Sequence, residues 1–223
     1  MGPKWVALFL FPCCCVSAVA EAQSIELKFG GFAPTFESEL WDDNLATFQI
    51  EPDDFSGFVA GAAVGLPLSD HLELVVAVDT SSTTVLSSYR DFVWDDGGEI
   101  LQDLTLRVTP LTGGVRLYPL GQRARVRPFL TGGGAAYLYE YREEGEFVDF
   151  ETFDIYSDTF IDRGAAYGWF FGGGVSIAWT DAVFVVGEYR RHWASGRHGV
   201  DFEGFGGFEL TSQQVSAGVG FRF

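Results

Sequence analysis

Cysteine is nearly missing from this chain: there are three in 223 residues, all at Cys13, Cys14 and Cys15. Once the first 22 residues are set aside as a leader, nothing is left to build a disulfide framework or a thiolate metal site. Basic residues are also scarce, with 14 Lys and Arg against 31 Asp and Glu and a net charge of −17. A nucleic-acid binder needs the opposite balance, because phosphates are held by a basic surface. Long apolar runs are missing too. Beyond residue 22 none approaches the ~18 residues of a membrane-spanning helix, and the greasiest stretch, Gly164 to Trp179, is broken by five glycines. No internal repeat and no linker divides the chain, so residues 23–223 read as one domain.

What is abundant is glycine, with 28 residues, and phenylalanine, with 22, in a chain that is 47% hydrophobic. The last nine residues show how they are used. Val215, Ala217, Val219, Phe221 and Phe223 share one parity, and Ser216, Gly218, Gly220 and Arg222 share the other. That is the period of a strand with an apolar solvent on one face and a crowded or polar space on the other. The same alternation marks about eight strands, and the fold class it predicts is all-β, a closed antiparallel up-and-down barrel. The expected strands are about Ile25 to Phe32, Phe55 to Leu66, Leu72 to Asp79, Leu104 to Tyr118, Arg127 to Arg142, Tyr167 to Trp179, Ala182 to Trp193, and the terminal one. Short turns at Pro67 to Asp70, Pro119 to Val126 and Thr180-Asp181 alternate with longer acidic segments. In the fourth strand the apolar parity changes from Leu104, Leu106 and Val108 to Leu111, Val115 and Leu117, so a bulge is expected at Pro110. In the fifth, Phe129, Ala135, Tyr137, Tyr139 and Tyr141 are expected to face outward.

Residues 1–22 have the layout of a secretory signal peptide: Lys4, an apolar core from Trp5, then small residues that allow cleavage after Ala20 or Ala22. The core is too short for a membrane anchor. Pro12 before Cys13, where a lipoprotein needs a small residue, argues against lipidation.

The polar parity collects Glu26, Lys28, Glu73, Asp79, Arg107, Arg116, Glu140, Arg142, Glu188, Arg190 and Arg222. In a narrow barrel such charges must pair across the interior, since an isolated buried charge is costly. An eight-stranded barrel is just wide enough for side chains, which predicts a plugged lumen and leaves a narrow channel or carrier for ions or small apolar molecules as the alternative. Glu188, His192 and Ser195 are the residues that a lipid-modifying hydrolase would use, but His192 and Ser195 have opposite parity, so no catalytic residue is assigned. Acids crowd three connections: Glu37, Glu39, Asp42, Asp43, Glu51, Asp53 and Asp54; Asp91, Asp95, Asp96 and Glu99; and Glu143, Glu144, Glu146, Asp149, Glu151, Asp154, Asp158 and Asp162. None has the spacing of a dedicated calcium loop, the closest being Asp95-Asp96-Gly97-Gly98-Glu99, so no metal or cofactor is expected.

Gly218 to Phe223 (GVGFRF), the hairpin GGGVSIAWTDAVFVVGEYRR (172–191) and the segment TGGVRLYPLGQRARVRPFLTGGGAAY (112–137) resemble the small eight-stranded outer-membrane barrels of the OmpA/OmpX type, the outer membrane protein β-barrel domain. A soluble lipocalin-like barrel would put its apolar faces inside instead. The resemblance implies a bacterial outer-membrane location and short turns and termini in the periplasm. It also implies extracellular acidic segments and an assembly signal at Phe221 and Phe223 read by the barrel assembly machinery and periplasmic chaperones. Aromatic girdles are expected from Trp179 at one rim and Tyr137, Tyr139, Tyr167, Trp169 and Trp193 at the other. Partners are then outer-membrane lipid and cations or a basic surface partner. The function expected is non-enzymatic: a structural or surface-interaction barrel.

Overall fold

A computed structural model describes residues 23–35, 39–197 and 207–223; the expected leader and cleavage site, and Glu37 of the first acidic segment, lie outside them. The strands are β1 (Ser24–Thr35), β2 (Gly57–Pro67), β3 (Leu72–Val93), β4 (Glu99–Leu117), β5 (Val126–Val148), β6 (Ile155–Ala178), β7 (Val183–Arg197), a short β8 (Gly207–Glu209) and β9 (Thr211–Arg222). Each is antiparallel to its neighbour. The ring closes where β9 pairs with both β1 and β7, with Ile25 opposite Phe221 and Val185 opposite Val219. Eight strands therefore form a closed antiparallel barrel, with β8 a three-residue addition to the end of β7. Among the described residues no helix is long and apolar enough to cross a membrane; the strands are what can cross.

Half of the wall is much taller than a bilayer requires. A spanning strand needs about 9–11 residues, which β1, β2 and β9 roughly match, whereas β3 to β6 run 22, 19, 23 and 24 residues. The second and third connections, expected as loops over 81–102 and 143–164, are thus mostly strand, with tight tips at 94–98 and 149–154. The extra length adds roughly 30 Å of wall along the strand direction.

The solvent around the wall changes along β3 and β4. Nearer the short turns Leu74, Val76, Val78, Leu111, Val115 and Leu117 are exposed outward, while Glu73, Asp79 and Arg116 are buried inside. Farther up, the inside takes Ile100, Leu104, Leu106 and Val108, and Thr80, Ser82, Asp103 and Arg107 are exposed outside. Pro110 lies at this inversion. No bulge exists there: Val78 opposite Leu111 and Ser81 opposite Val108 keep one register, as do Pro110 opposite Tyr137 and its neighbours. The change of apolar parity is a change of environment, from a polar lumen in a lipid-facing wall to an apolar core in a water-facing one. The expected faces of β5 are reversed. Tyr137, Tyr139 and Tyr141 lie above the inversion and are buried in the apolar core, with Ala135 partly buried against it; Phe129, in the lower lumen, is buried under the Arg116 guanidinium, and Leu130 and Leu138 face out.

The upper interior is closed by the first acidic segment. It folds into a helix, α1 (Glu39–Thr47), and a 3-10 turn (Pro52–Phe55). Trp41, Phe48, Ile50 and Phe55 join Leu104, Leu106, Val108, Tyr139 and Tyr141 in one buried cluster. Trp41 sits edge-on between Phe55 and Tyr141, at ring distances of 5.3 and 5.1 Å. Arg90 ties the cap down through the carbonyls of Leu45 and Ile50.

Candidate functional site

The lower lumen holds a connected set of buried ions. Arg116 grips Glu26 with both terminal nitrogens, at 2.6 and 3.2 Å, and reaches Glu73 at 3.3 Å and Glu188 at 3.7 Å. Glu188 also pairs with Lys28 at 3.2 Å and Arg190 at 2.9 Å, and Arg190 pairs with Asp79 at 3.4 Å. These contacts cross the barrel, joining β7 to β1, β3 and β4. Ser24 and Tyr118 complete Glu73 by donating hydroxyl hydrogens at 3.2 and 2.9 Å. Glycine makes the space: a Cβ at Gly174 would come within 2.7 Å of the Phe129 ring, which lies under the Arg116 guanidinium. Gly61, Gly65 and Gly218 likewise leave room for Asp79, Glu73 and Lys28.

Seven of the eleven charges read as lumenal, Glu26, Lys28, Glu73, Asp79, Arg116, Glu188 and Arg190, are thus joined in one cluster, and Arg222 lies half-buried near the short-turn mouth. Arg107, Glu140 and Arg142 are not there. They lie above the inversion, where that parity points into water: Arg142 pairs with Glu144, and Glu140 accepts from Arg163 at 2.8 Å. The girdle assignment changes for the same reason. Tyr167, Trp169, Trp179 and Trp193 face outward, with Trp169 stacked on Trp193 at 4.0 Å, but Tyr137 and Tyr139 point in. Tyr137 contacts His192 Nδ1 at 2.9 Å. His192 is fully buried while Ser195 is exposed, so the two belong to opposite faces and form no nucleophile–base pair. Phe221 and Phe223 are exposed on the outer, lipid-facing side.

Sequence reasoning missed Arg127, which is 1% exposed in the lumen and donates to Ser176 Oγ at 2.8 Å; it shares the parity of Phe129 and Tyr137, which was expected to face outward. It also missed the cap, although Trp41, Leu45 and Phe48 have the i, i+4, i+7 spacing of an apolar helix face.

At the opposite end the hairpin tips carry acids and aromatic rings together. Phe150 and Phe153 are 61% and 66% exposed, and Phe92 lies 5.6 and 6.3 Å from their rings. Phe153 has φ +63°, a left-handed backbone that bulky side chains rarely adopt. Asp149 fixes this turn by accepting from the N–H groups of Glu151 and Thr152, which hold its carboxyl below the usual range. The two tips are braced to each other by Trp94 Nε1 to Glu146 at 3.2 Å and Gln102 Nε2 to the Glu146 carbonyl at 2.7 Å. Two residues counted as loop acids are not at the surface: Asp162 is fully buried beside the Tyr139 hydroxyl, and Glu143 is buried between Tyr141 and Asn44.

An outward apolar belt, a charged lumen and a closed ring of strands agree with one comparison above all: the model of the outer membrane protein beta-barrel domain matches residues 6–223. The chain belongs to this family. As an outer-membrane barrel its place is the bacterial outer membrane. Solved structures with the same fold include Neisserial surface protein A, at 15% identity and TM-score 0.52, over 90% of this chain and 97% of that one. The outer membrane protein OprG from Pseudomonas aeruginosa aligns at 11% identity and TM-score 0.51, over 91% and 97%. A major outer membrane protein from Thermus thermophilus aligns at 10% and 0.54, over 92% and 100%. No curated protein matches the sequence.

Proposed function

We propose that this barrel is a non-enzymatic, occluded scaffold that carries a rigid acidic and aromatic platform above the outer surface of the cell, where it binds a basic partner. The observation that carries the reading is the polarity inversion, with a packed core filling the upper barrel beneath the exposed Phe150 and Phe153. A wall that continues as a water-facing, solid-cored structure positions its tips; it does not need that core to cross the membrane. Short turns facing the periplasm and long hairpins facing outward follow the habit of such barrels. Acids attract a cationic partner over a Debye length, and aromatic faces add cation–π contacts at short range.

Conduction is the competing role, and it would require both the ion cluster and the Trp41 cap to move. The test is binding of a fluorescent lysine-rich peptide to the barrel in zwitterionic nanodiscs. Phe150→Ser with Phe153→Ser, which leaves the net charge unchanged, should weaken binding several-fold. Binding equal to that of the parent would refute the platform.

A further inference from the structure

The short-turn end of the lumen holds positive charge that the ion cluster does not use. Lys28, Arg116 and Arg190 are matched by Glu26, Glu73, Asp79 and Glu188. Arg127 has no carboxylate within ion-pair distance among the described residues. Its donors go to neutral acceptors, Ser176 Oγ at 2.8 Å and the Gln122 carbonyl at 3.3 Å, and its buried Nε has no partner. Arg222 comes to the same place, donating to the same Gln122 carbonyl at 3.5 Å. Both guanidinium groups lie over the Phe184 ring, at 5.1 and 5.7 Å. Two cations share one carbonyl and one ring in a chain whose net charge is −17.

These arginines line a pocket of about 410 Å³ at the mouth, together with Ser69, Gln122 and Thr180. Of the acids there, Asp70 is already paired with Arg123 at 3.6 Å, and Asp181 is exposed on the turn. Ser69 Oγ and Thr180 Oγ1 accept backbone N–H bonds, from His71 and from Ala182 and Val183, which leaves their own hydroxyl hydrogens available. The mouth thus offers two guanidinium groups and two hydroxyl donors around a cavity of small-solute size.

We infer that this pocket binds a phosphate group, with Arg127 and Arg222 as its charged ligands. Guanidinium suits phosphate because its planar fork presents parallel donors, and a bound dianion would relieve the repulsion between the two cations. Two sources offer that chemistry at this end of the barrel, a free phosphate compound in the aqueous phase and the headgroup of a phospholipid in the adjoining leaflet. Binding itself does not depend on the orientation or the partner proposed above.

The experiment uses the folded barrel in maltoside micelles, a detergent without phosphate, and follows the arginine Nε–H resonances. Inorganic phosphate is titrated at constant ionic strength against chloride, and phosphatidylglycerol is added in a parallel series against phosphatidylcholine. A saturable shift of the Arg127 signal is expected with one of the two sources, and the source that gives it assigns the ligand. Arg222→Gln should weaken it by about tenfold, equivalent to about 1.4 kcal/mol, and Arg107→Gln, on the outer face, should leave it unchanged. No saturable shift with either source, or an equal shift in Arg222→Gln, would overturn the site.

Discussion

Replacing Arg116 by Ala removes the cation that most carboxylates of the lumen share. Arg116 is fully buried and bonds Glu26 through both terminal nitrogens, and it lies within ion-pair distance of Glu73 and Glu188. In the variant Glu73 keeps the hydroxyls of Ser24 and Tyr118, and Glu188 keeps Lys28 and Arg190. Glu26 loses the only side chain that bonds it among the described contacts. Breaking a buried ion pair by deleting one member costs about 3–5 kcal/mol, because the other charge stays desolvated. Arg116→Ala should fall in that range. Adding Glu26→Gln removes the stranded charge and should recover roughly 1–3 kcal/mol of the loss. Arg107→Ala, which the alternating pattern alone would rank with it, should change stability by no more than about 0.5 kcal/mol, since Arg107 is in water. Urea unfolding in lipid bilayers, followed by tryptophan fluorescence, measures all three. A loss below about 1 kcal/mol for Arg116→Ala, or equal losses for Arg116→Ala and Arg107→Ala, would show that the lumen is too wet for the cluster to matter.

Glu143, on the water-facing extension of β5, has its carboxyl pushed above the usual range by burial, against the opposing bonds from Tyr141 and Asn44. A raised folded value favours the protonated form, so the cap should gain stability as pH falls from neutral through that value and level off below the ordinary glutamate range near about 4.3. Hydrogen exchange of α1 should show this trend in the parent and lose it in Glu143→Gln. Gly174→Val should destabilise the barrel by about 1–3 kcal/mol in the same urea assay, because its side chain meets the Gly187 carbonyl and the Phe129 ring. Deleting Phe223 should slow assembly into the outer membrane, read as the rate of heat-modifiable barrel formation in cells, whereas Ser216→Ala should assemble at the parental rate.

The ring of strands was legible because lipid and a crowded lumen impose opposite demands on alternate residues: Val76 against Ala77 and Phe221 against Gly220 are readable one position at a time. The limit of that rule is that it assumes one environment per strand. Leu104, Leu106 and Val108 obey the same alternation as Val115 and Leu117 with the sign reversed, and only the height of the bilayer, which no single residue encodes, tells one from the other. Arg107, Glu140 and Arg142 were placed inside by parity and are outside by height. The cap was hidden for a different reason. Its acids, Asp42, Asp43, Asp53 and Asp54, dominate the composition of a segment whose buried face is a few residues wide, and its pairing with Tyr89 and Tyr141 spans tens of residues in sequence.

The outward face of β4 passes from lipid to water near Pro110, and a spin-label scan along that face measures the change. With Cys13, Cys14 and Cys15 replaced by serine, single cysteines can be placed at 117, 115, 111, 107, 105 and 103 and labelled in bilayers. Oxygen, which concentrates in lipid, should relax the labels at 117, 115 and 111, and a water-soluble nickel chelate should take over at 107, 105 and 103. Oxygen-dominated relaxation continuing to 103 would refute the inversion, because the upper wall would then stand in lipid and its apolar interior would have no water-facing counterpart.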